Sequence, residues 1–152
     1  MNKRNITIIS LVFIAVITIF LVKGLNSKNT EINSANLKKQ YEQITGRKKP
    51  TIIIFSYDAE CCPTTEQFFF QYNTKAKILL DDYKDKFETL YIDTGAMQTE
   101  EQQKELLKIA DENKVLQLPT LVIKDSKGTI VKSIEGPFES SEVAKVLDEV
   151  IK

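Results

Sequence analysis

From Asn5 to Val22 the chain reads NITIISLVFIAVITIFLV, a run without a charged residue and almost wholly apolar, with Lys3 and Arg4 before it and Lys23 after it. This is the pattern of a membrane segment. At ~1.5 Å rise per residue, some twenty helical residues cover a hydrocarbon core of ~30 Å, so Ile6 to Leu25 just suffices with little tilt. A cleaved signal peptide has a shorter apolar region, typically ~7–15 residues, followed by a small-x-small cleavage site. The sequence after Val22, KGLNSKNT, offers Gly24 and Ser27 but no Ala-x-Ala pattern, and no Cys follows to carry a lipid. An uncleaved anchor is therefore favoured. Lys3, Arg4 and the terminal amine place the N-terminus inside, although Lys23 and Lys28 lie close on the other side. The expected organisation is a short cytoplasmic N-terminus (1–5), a transmembrane signal anchor (6–25), a polar linker (26–33) and a domain (34–152) on the extracytoplasmic face of the cell membrane.

The 152 residues allow one ordinary domain beside such an anchor, and not two. Lys plus Arg (21) balances Asp plus Glu (21), so the chain lacks the basic field that nucleic-acid binding leaves, and no nucleic-acid partner is expected. Histidine is absent, which removes His-dependent acid–base triads, His-ligated zinc and haem, and a histidine pH switch. The two cysteines are neighbours, Cys61-Cys62. They are too few for a structural zinc site, and a bridge between neighbours closes almost no loop, so it cannot act as a long-range staple. No metal and no cofactor is expected; the cysteines are reactive or incidental.

Hydrophobic spacing predicts the order helix, strand, helix, strand, helix, strand, strand, helix. Leu37, Tyr41 and Ile44 recur at helical spacing from Ser34, a candidate N-cap, to Ile44. TIIIF (Thr51 to Phe55) suits a strand buried on both faces. After Pro63, one helix, or two joined near Asn73, runs on toward Phe87, with Phe69, Phe70, Ile78, Leu79, Tyr83 and Phe87 at mostly helical spacing. LYID (Leu90 to Asp93) reads as a strand, and the stretch from Thr99 to Asn113 as a helix capped by Thr99. TLVIKD and GTIVKSIEG form a hairpin turning at Ser126-Lys127-Gly128, and SSEVAKVLDEVIK is a last helix with a Ser cap. An α/β unit feeding an antiparallel hairpin and a closing helix makes a mixed central sheet flanked by helices.

Cys61 follows a buried-type strand and a short loop, and Pro63 sits where a helix would start. Unpaired backbone N–H groups and the positive end of a helix dipole stabilise a thiolate in such a place. In this the chain resembles the thioredoxin-like superfamily over most of Ser34 to Lys152. TIIIFSYDAECCPTT resembles the strand, loop and active-site helix of a thioredoxin, with Cys61 at the place of the attacking cysteine and Pro63 at that of the intervening proline. VLQLPTLVIKDSKGTIVKSIEG resembles the apolar-Pro-Thr loop and the hairpin closed by Gly136. The resemblance implies a cis-proline at Pro119 facing the active site, with Leu118, Pro119 and Thr120 lining a substrate groove and Tyr57 at an aromatic position. The implied activity is thiol–disulfide exchange on a protein disulfide or a low-molecular-weight thiol, with a redox partner protein.

The departures bear on that activity. The family's second cysteine falls at Thr64, its buried acid at Phe55, the lysine partner of that acid at Thr89, and the tryptophan before the first cysteine at Glu60. A carboxylate beside the thiol opposes thiolate formation. A mixed disulfide on Cys61 could be resolved by Cys62, through a vicinal bridge expected to be strained and readily reduced, or by an external thiol. The Thr64 hydroxyl could donate to the Cys61 thiolate. Two functions follow: a membrane-anchored oxidoreductase with Cys61 as nucleophile, Cys62 as its catalytic neighbour and Pro63, Thr64 and Tyr57 in support, or a redox-inactive module that holds a partner, for example in a secretion or export assembly. Of the remaining features, Phe68-Phe69-Phe70 is expected to pack in the core, with at most one ring exposed for docking. Arg47-Lys48-Lys49 reads as a solvated turn, and Glu100-Glu101 as first-turn helix charge.

Overall fold

A computed structural model describes residues 37–58 and 62–152. The described elements are α1 (Leu37–Thr45), β1 (Thr51–Ser56), α2 (Pro63–Tyr83), β2 (Glu88–Asp93), α3 (Glu100–Glu112), β3 (Thr120–Lys124), β4 (Ile130–Glu135) and α4 (Ser140–Val150), with a 3-10 turn at Thr94–Ala96. The strands form one mixed sheet in the order β2-β1-β3-β4, with β1 parallel to β2 and antiparallel to β3. The two central strands of the sheet, β1 and β3, are buried at every residue, as their largely apolar runs require.

Alternation along β1 sorts the core into two layers. Ile52 and Ile54 join Leu121 and Ile123 beneath α2 and α4, against Tyr72, Ala76, Leu79, Leu80, Val143 and Leu147. Ile53 and Phe55 join Leu90, Ile92 and Val122 on the other face, where α1 supplies Leu37, Tyr41 and Ile44 and α3 supplies Ile109. The helix between Asp93 and Pro119 thus has a packing role. Its start is fixed as expected: the Thr99 hydroxyl accepts from the Gln102 N–H, and the Gln102 side chain accepts from the Thr99 N–H, a reciprocal capping box.

Several boundaries differ from expectation. The stretch after Pro63 is a single helix, and it ends at Tyr83; Phe87 lies in the following turn, where its ring meets Tyr83 edge-on at 5.8 Å. The reason is tertiary, since β2 begins at Glu88 rather than Leu90, in register with Thr51 of β1, and strand pairing claims the backbone. α4 has no Ser cap. Glu139 occupies the cap position and Ser140 is the first helical residue, because Phe138 before the cap and Val143 in the first turn are buried in the same cluster and fix where the helix starts. The hairpin turns where expected, with the Gly128 N–H donating to the Asp125 carbonyl at 3.0 Å and Gly128 at φ 81°.

Among the described residues no helix is long and apolar enough to cross a membrane. The expected anchor (6–25), the linker (26–33) and the Ser34 cap lie outside the described residues.

Candidate active site

The strand registers bring four chain ends to one end of the sheet. Ser56 pairs with Asp93, Phe55 with Thr120, and Thr120 with Glu135, so the C-terminal ends of β1, β2 and β4 and the start of β3 coincide. The loop between β1 and α2 carries the cysteines there. Cys62 is exposed and occupies the N-cap of α2 in an extended conformation (φ −149°, ψ 150°). Pro63 is the first helical residue, a position whose N–H has no intrahelical partner in any case. The Cys62 thiol donates to the Thr65 hydroxyl oxygen at 3.0 Å, and the Cys62 carbonyl accepts from the Glu66 N–H at 2.9 Å. Cys61 lies outside the described residues, with Ala59 and Glu60. Thr64 is exposed; the hydroxyl that meets a cysteine is that of Thr65, one position further along. Sequence reasoning missed Thr65, although the spacing from N-cap to N3 is the signal that identifies it.

The start of the cysteine loop is held from two sides. From α2, the buried Asn73 accepts from the Ser56 hydroxyl at 2.5 Å and donates its amide to the Tyr57 carbonyl at 3.2 Å. From the 3-10 turn, the Thr94 hydroxyl donates to the Ser56 carbonyl at 3.0 Å. Asp93 Oδ1 accepts from the Asp58 N–H at 3.3 Å and the Gly95 N–H at 3.0 Å. Tyr57 lies edge-on to Phe69 at 5.9 Å. Its ring also covers Gly95 so closely that a Cβ there would fall 2.5 Å from Tyr57 Cε2. Asn73, Asp93 and Gly95 are supports that hydrophobic spacing does not single out; a lone Asn on the buried face of α2 is the available signal. Burial pushes the Tyr91 phenol up to about 12, against a hydrogen bond with Ser56 and with help from the Asp93 and Asp58 carboxylates. Burial likewise pushes Tyr72 up, and its hydroxyl is buried without a hydrogen-bond partner.

At the start of β3 the Leu118–Pro119 peptide bond is cis, as the resemblance implied. The Pro119 carbonyl accepts from the Gly136 N–H at 2.8 Å. Thr120 is fully buried, flanked by β1 and β4, and its hydroxyl donates to the Gln117 carbonyl at 2.7 Å. Of the three residues assigned to the groove, the exposed one is Leu118, at 40%. Phe55, at the place of the family acid, is sealed in the apolar layer with Ile109 and Val122, and Thr89 is half-buried on β2.

The aromatic triplet departs from expectation. Phe68 is 38% and Phe70 68% exposed, and Phe69 alone is partly buried. The physical reason lies in helical phase: Tyr72, Asn73, Ala76, Leu79 and Leu80 take the buried face of α2, which turns Phe70 and Ile78 to the opposite side. Among the described residues no group of His, Cys, Asp and Glu could hold a metal.

No protein-family model matches the chain, and no curated protein sequence is similar to it. Solved structures are. The thioredoxin of Nicotiana alata is 18% identical with a TM-score of 0.53, over 79% of this chain and 89% of that one. That of Malassezia sympodialis is 20% identical with a TM-score of 0.52, over 75% and 85% of the two chains. Chloroplastic thioredoxin z is 16% identical with a TM-score of 0.51, over 75% and 88%. At these identities the likeness is one of architecture, and it is consistent throughout: the chain has the thioredoxin-like fold.

Proposed function

We propose that the chain is a membrane-anchored thiol–disulfide oxidoreductase, its domain on the extracytoplasmic side, acting through Cys61 with Cys62 as its neighbour. The observation that carries this reading is the exposed Cys62 at the N-cap of a 21-residue helix, at the end of the sheet where the cis Leu118–Pro119 bond also lies. Cys61 precedes it directly in a loop anchored by Asn73 and Asp93. The uncharged run 5–22 supports the anchor.

In the proposed step the Cys61 thiolate attacks one sulfur of a substrate disulfide. A Cys61–substrate S–S bond forms, the substrate's own S–S bond breaks, and the departing thiolate takes a proton from water. Cys62, or a low-molecular-weight thiol, then attacks the mixed disulfide at Cys61 and releases the substrate's second sulfur as a thiol. The substrate has gained two electrons. The chain is left with a Cys61–Cys62 bridge or with Cys61 joined to the small thiol, and further thiol of that class reduces it. Thr65 is placed to stabilise either charge state of Cys62, since its hydroxyl accepts from the thiol and can turn to donate to a thiolate.

Cys61→Ser should abolish disulfide reduction while the far-ultraviolet circular dichroism stays unchanged; an undiminished rate overturns the reading. One observation favours a second reading, a redox-inactive binding module: an apolar, fully buried Phe55 stands where the family's acid would serve proton transfer. That reading expects no turnover in the native chain and partner retention that survives Cys61→Ser.

A further inference from the structure

The chain as a whole is neutral, but its charges are not evenly placed. The described connections at the cysteine end of the sheet, 57–58, 94–99, 117–119 and 136–139, contain no Lys or Arg. In or beside them stand Asp58, Glu66, Asp93, Glu135 and Glu139, the last paired with the Lys75 ammonium at 3.8 Å. Arg47, Lys48, Lys49, Lys86 and Lys127 sit in the connections at the opposite end of the strands. Among the described residues Asp58, Glu66 and Asp93 have no cation within ion-pair distance, and Asp58 and Glu66 are exposed. Asp58 and Asp93 stand side by side, the Asp58 N–H on the Asp93 carboxylate. Beside these charges the same end exposes Tyr57, Phe68 and Leu118.

An acidic rim beside exposed aromatic rings selects by charge as well as by apolar contact. Glutathione disulfide is polyanionic and meets an excess of carboxylates here, the Lys75 ammonium being already engaged by Glu139 at 3.8 Å. A polypeptide whose cysteines are flanked by Lys or Arg and by large apolar side chains meets complementary groups of both kinds. Resting on the thiol–disulfide reading above, we infer that the substrate class of the site is a cationic, apolar polypeptide disulfide, and that anionic small-thiol disulfides are excluded by repulsion. The acids are not the reacting groups. They raise the local concentration of the positively charged partner and hold it while the exchange takes place.

The test uses the full chain in a non-ionic detergent, reduced beforehand, and four disulfides: two bridged peptides of equal length with the same Leu and Phe, one with Lys and the other with Glu beside its cysteines, glutathione disulfide, and neutral hydroxyethyl disulfide. Thiol release is followed by alkylation and mass spectrometry. At ~20 mM salt the Lys peptide should react at least about tenfold faster than the Glu peptide and glutathione disulfide, with the ratio shrinking toward one at ~500 mM as screening shortens the field. The double variant Asp58→Asn, Glu66→Gln should reduce the ratio several-fold; its clamp on Asp93 remains, because Asp58 contributes its backbone N–H there. Exchange of the neutral disulfide with equal rates for both peptides overturns the substrate class alone. Faster reaction of glutathione disulfide than of the Lys peptide does the same. Failure of all four to react overturns the thiol–disulfide reading and the inference with it.

Discussion

At the scale of single residues, two side chains show how much a small change would move. Gly95 has the Tyr57 ring where a Cβ would stand. Gly95→Ala must displace that ring or the 3-10 turn, so it should cost about 1–3 kcal/mol, as overpacking does, visible as a lower denaturant midpoint. Lys124 is buried at the end of β3, its ammonium donating to the Tyr41 hydroxyl at 3.3 Å and lying 5.6 Å from the Tyr41 ring centroid. Desolvation lowers its affinity for a proton, partly offset by the Glu112 carboxylate. Between the lowered folded value and the ordinary lysine range the unfolded chain binds the extra proton, so this group makes stability rise with pH through that window. Tyr91 and Tyr72 act with the opposite sign, since their raised values make stability fall as pH climbs above 10.0. Lys124→Met should therefore remove the rise and leave only the alkaline fall, read from urea melts at successive pH values. Tyr41 keeps a partner in that variant, the Asn113 amide at 3.0 Å.

At the scale of elements, α3 offers the cleanest test of local control. Its capping box joins Thr99 and Gln102 on an otherwise exposed turn, so Thr99→Ala should cost about 1 kcal/mol with an unchanged denaturant slope. This helix was legible because its cap and period agree. β1 and β3 were legible for the same reason, an apolar run bounded by Pro50 and by Pro119. Less legible was anything set by a distant partner. Phe87 has helical spacing from Tyr83, yet β2 pairing takes its backbone; Phe69 and Phe70 have the composition of a core, yet the helical phase that buries Ala76 and Leu80 turns Phe70 outward. In the candidate site, the sequence pattern located the cysteine loop and the Leu118–Pro119 bond. Asn73, Asp93 and Thr94 are polar residues of ordinary appearance, and only strand register brings them beneath the loop.

At the scale of the whole molecule, the sheet has two edges, and β4 forms one of them. Its side chains are mostly solvent-facing, and a register shift opposite Ile123 and Lys124 interrupts its pairing. Lys132 supplies a charge beside exposed Val131, the kind of residue that discourages pairing with another chain. Lys132→Val should raise the concentration-dependent light scattering of the protein without lowering its denaturant midpoint. A rise in scattering accompanied by loss of stability would instead place Lys132 in the fold.

The hairpin turn at Asp125 to Gly128 sits at the far end of β3, about 16 Å of strand away from the cysteine loop at ~3.3 Å per residue. Nothing lies within 4 Å of the space beside Gly128. A fluorophore, an affinity tag or a surface linkage inserted there would hold the molecule by the end opposite the cysteine loop and present that loop outward, turning the direction of the strands into an orientation on a sensor chip.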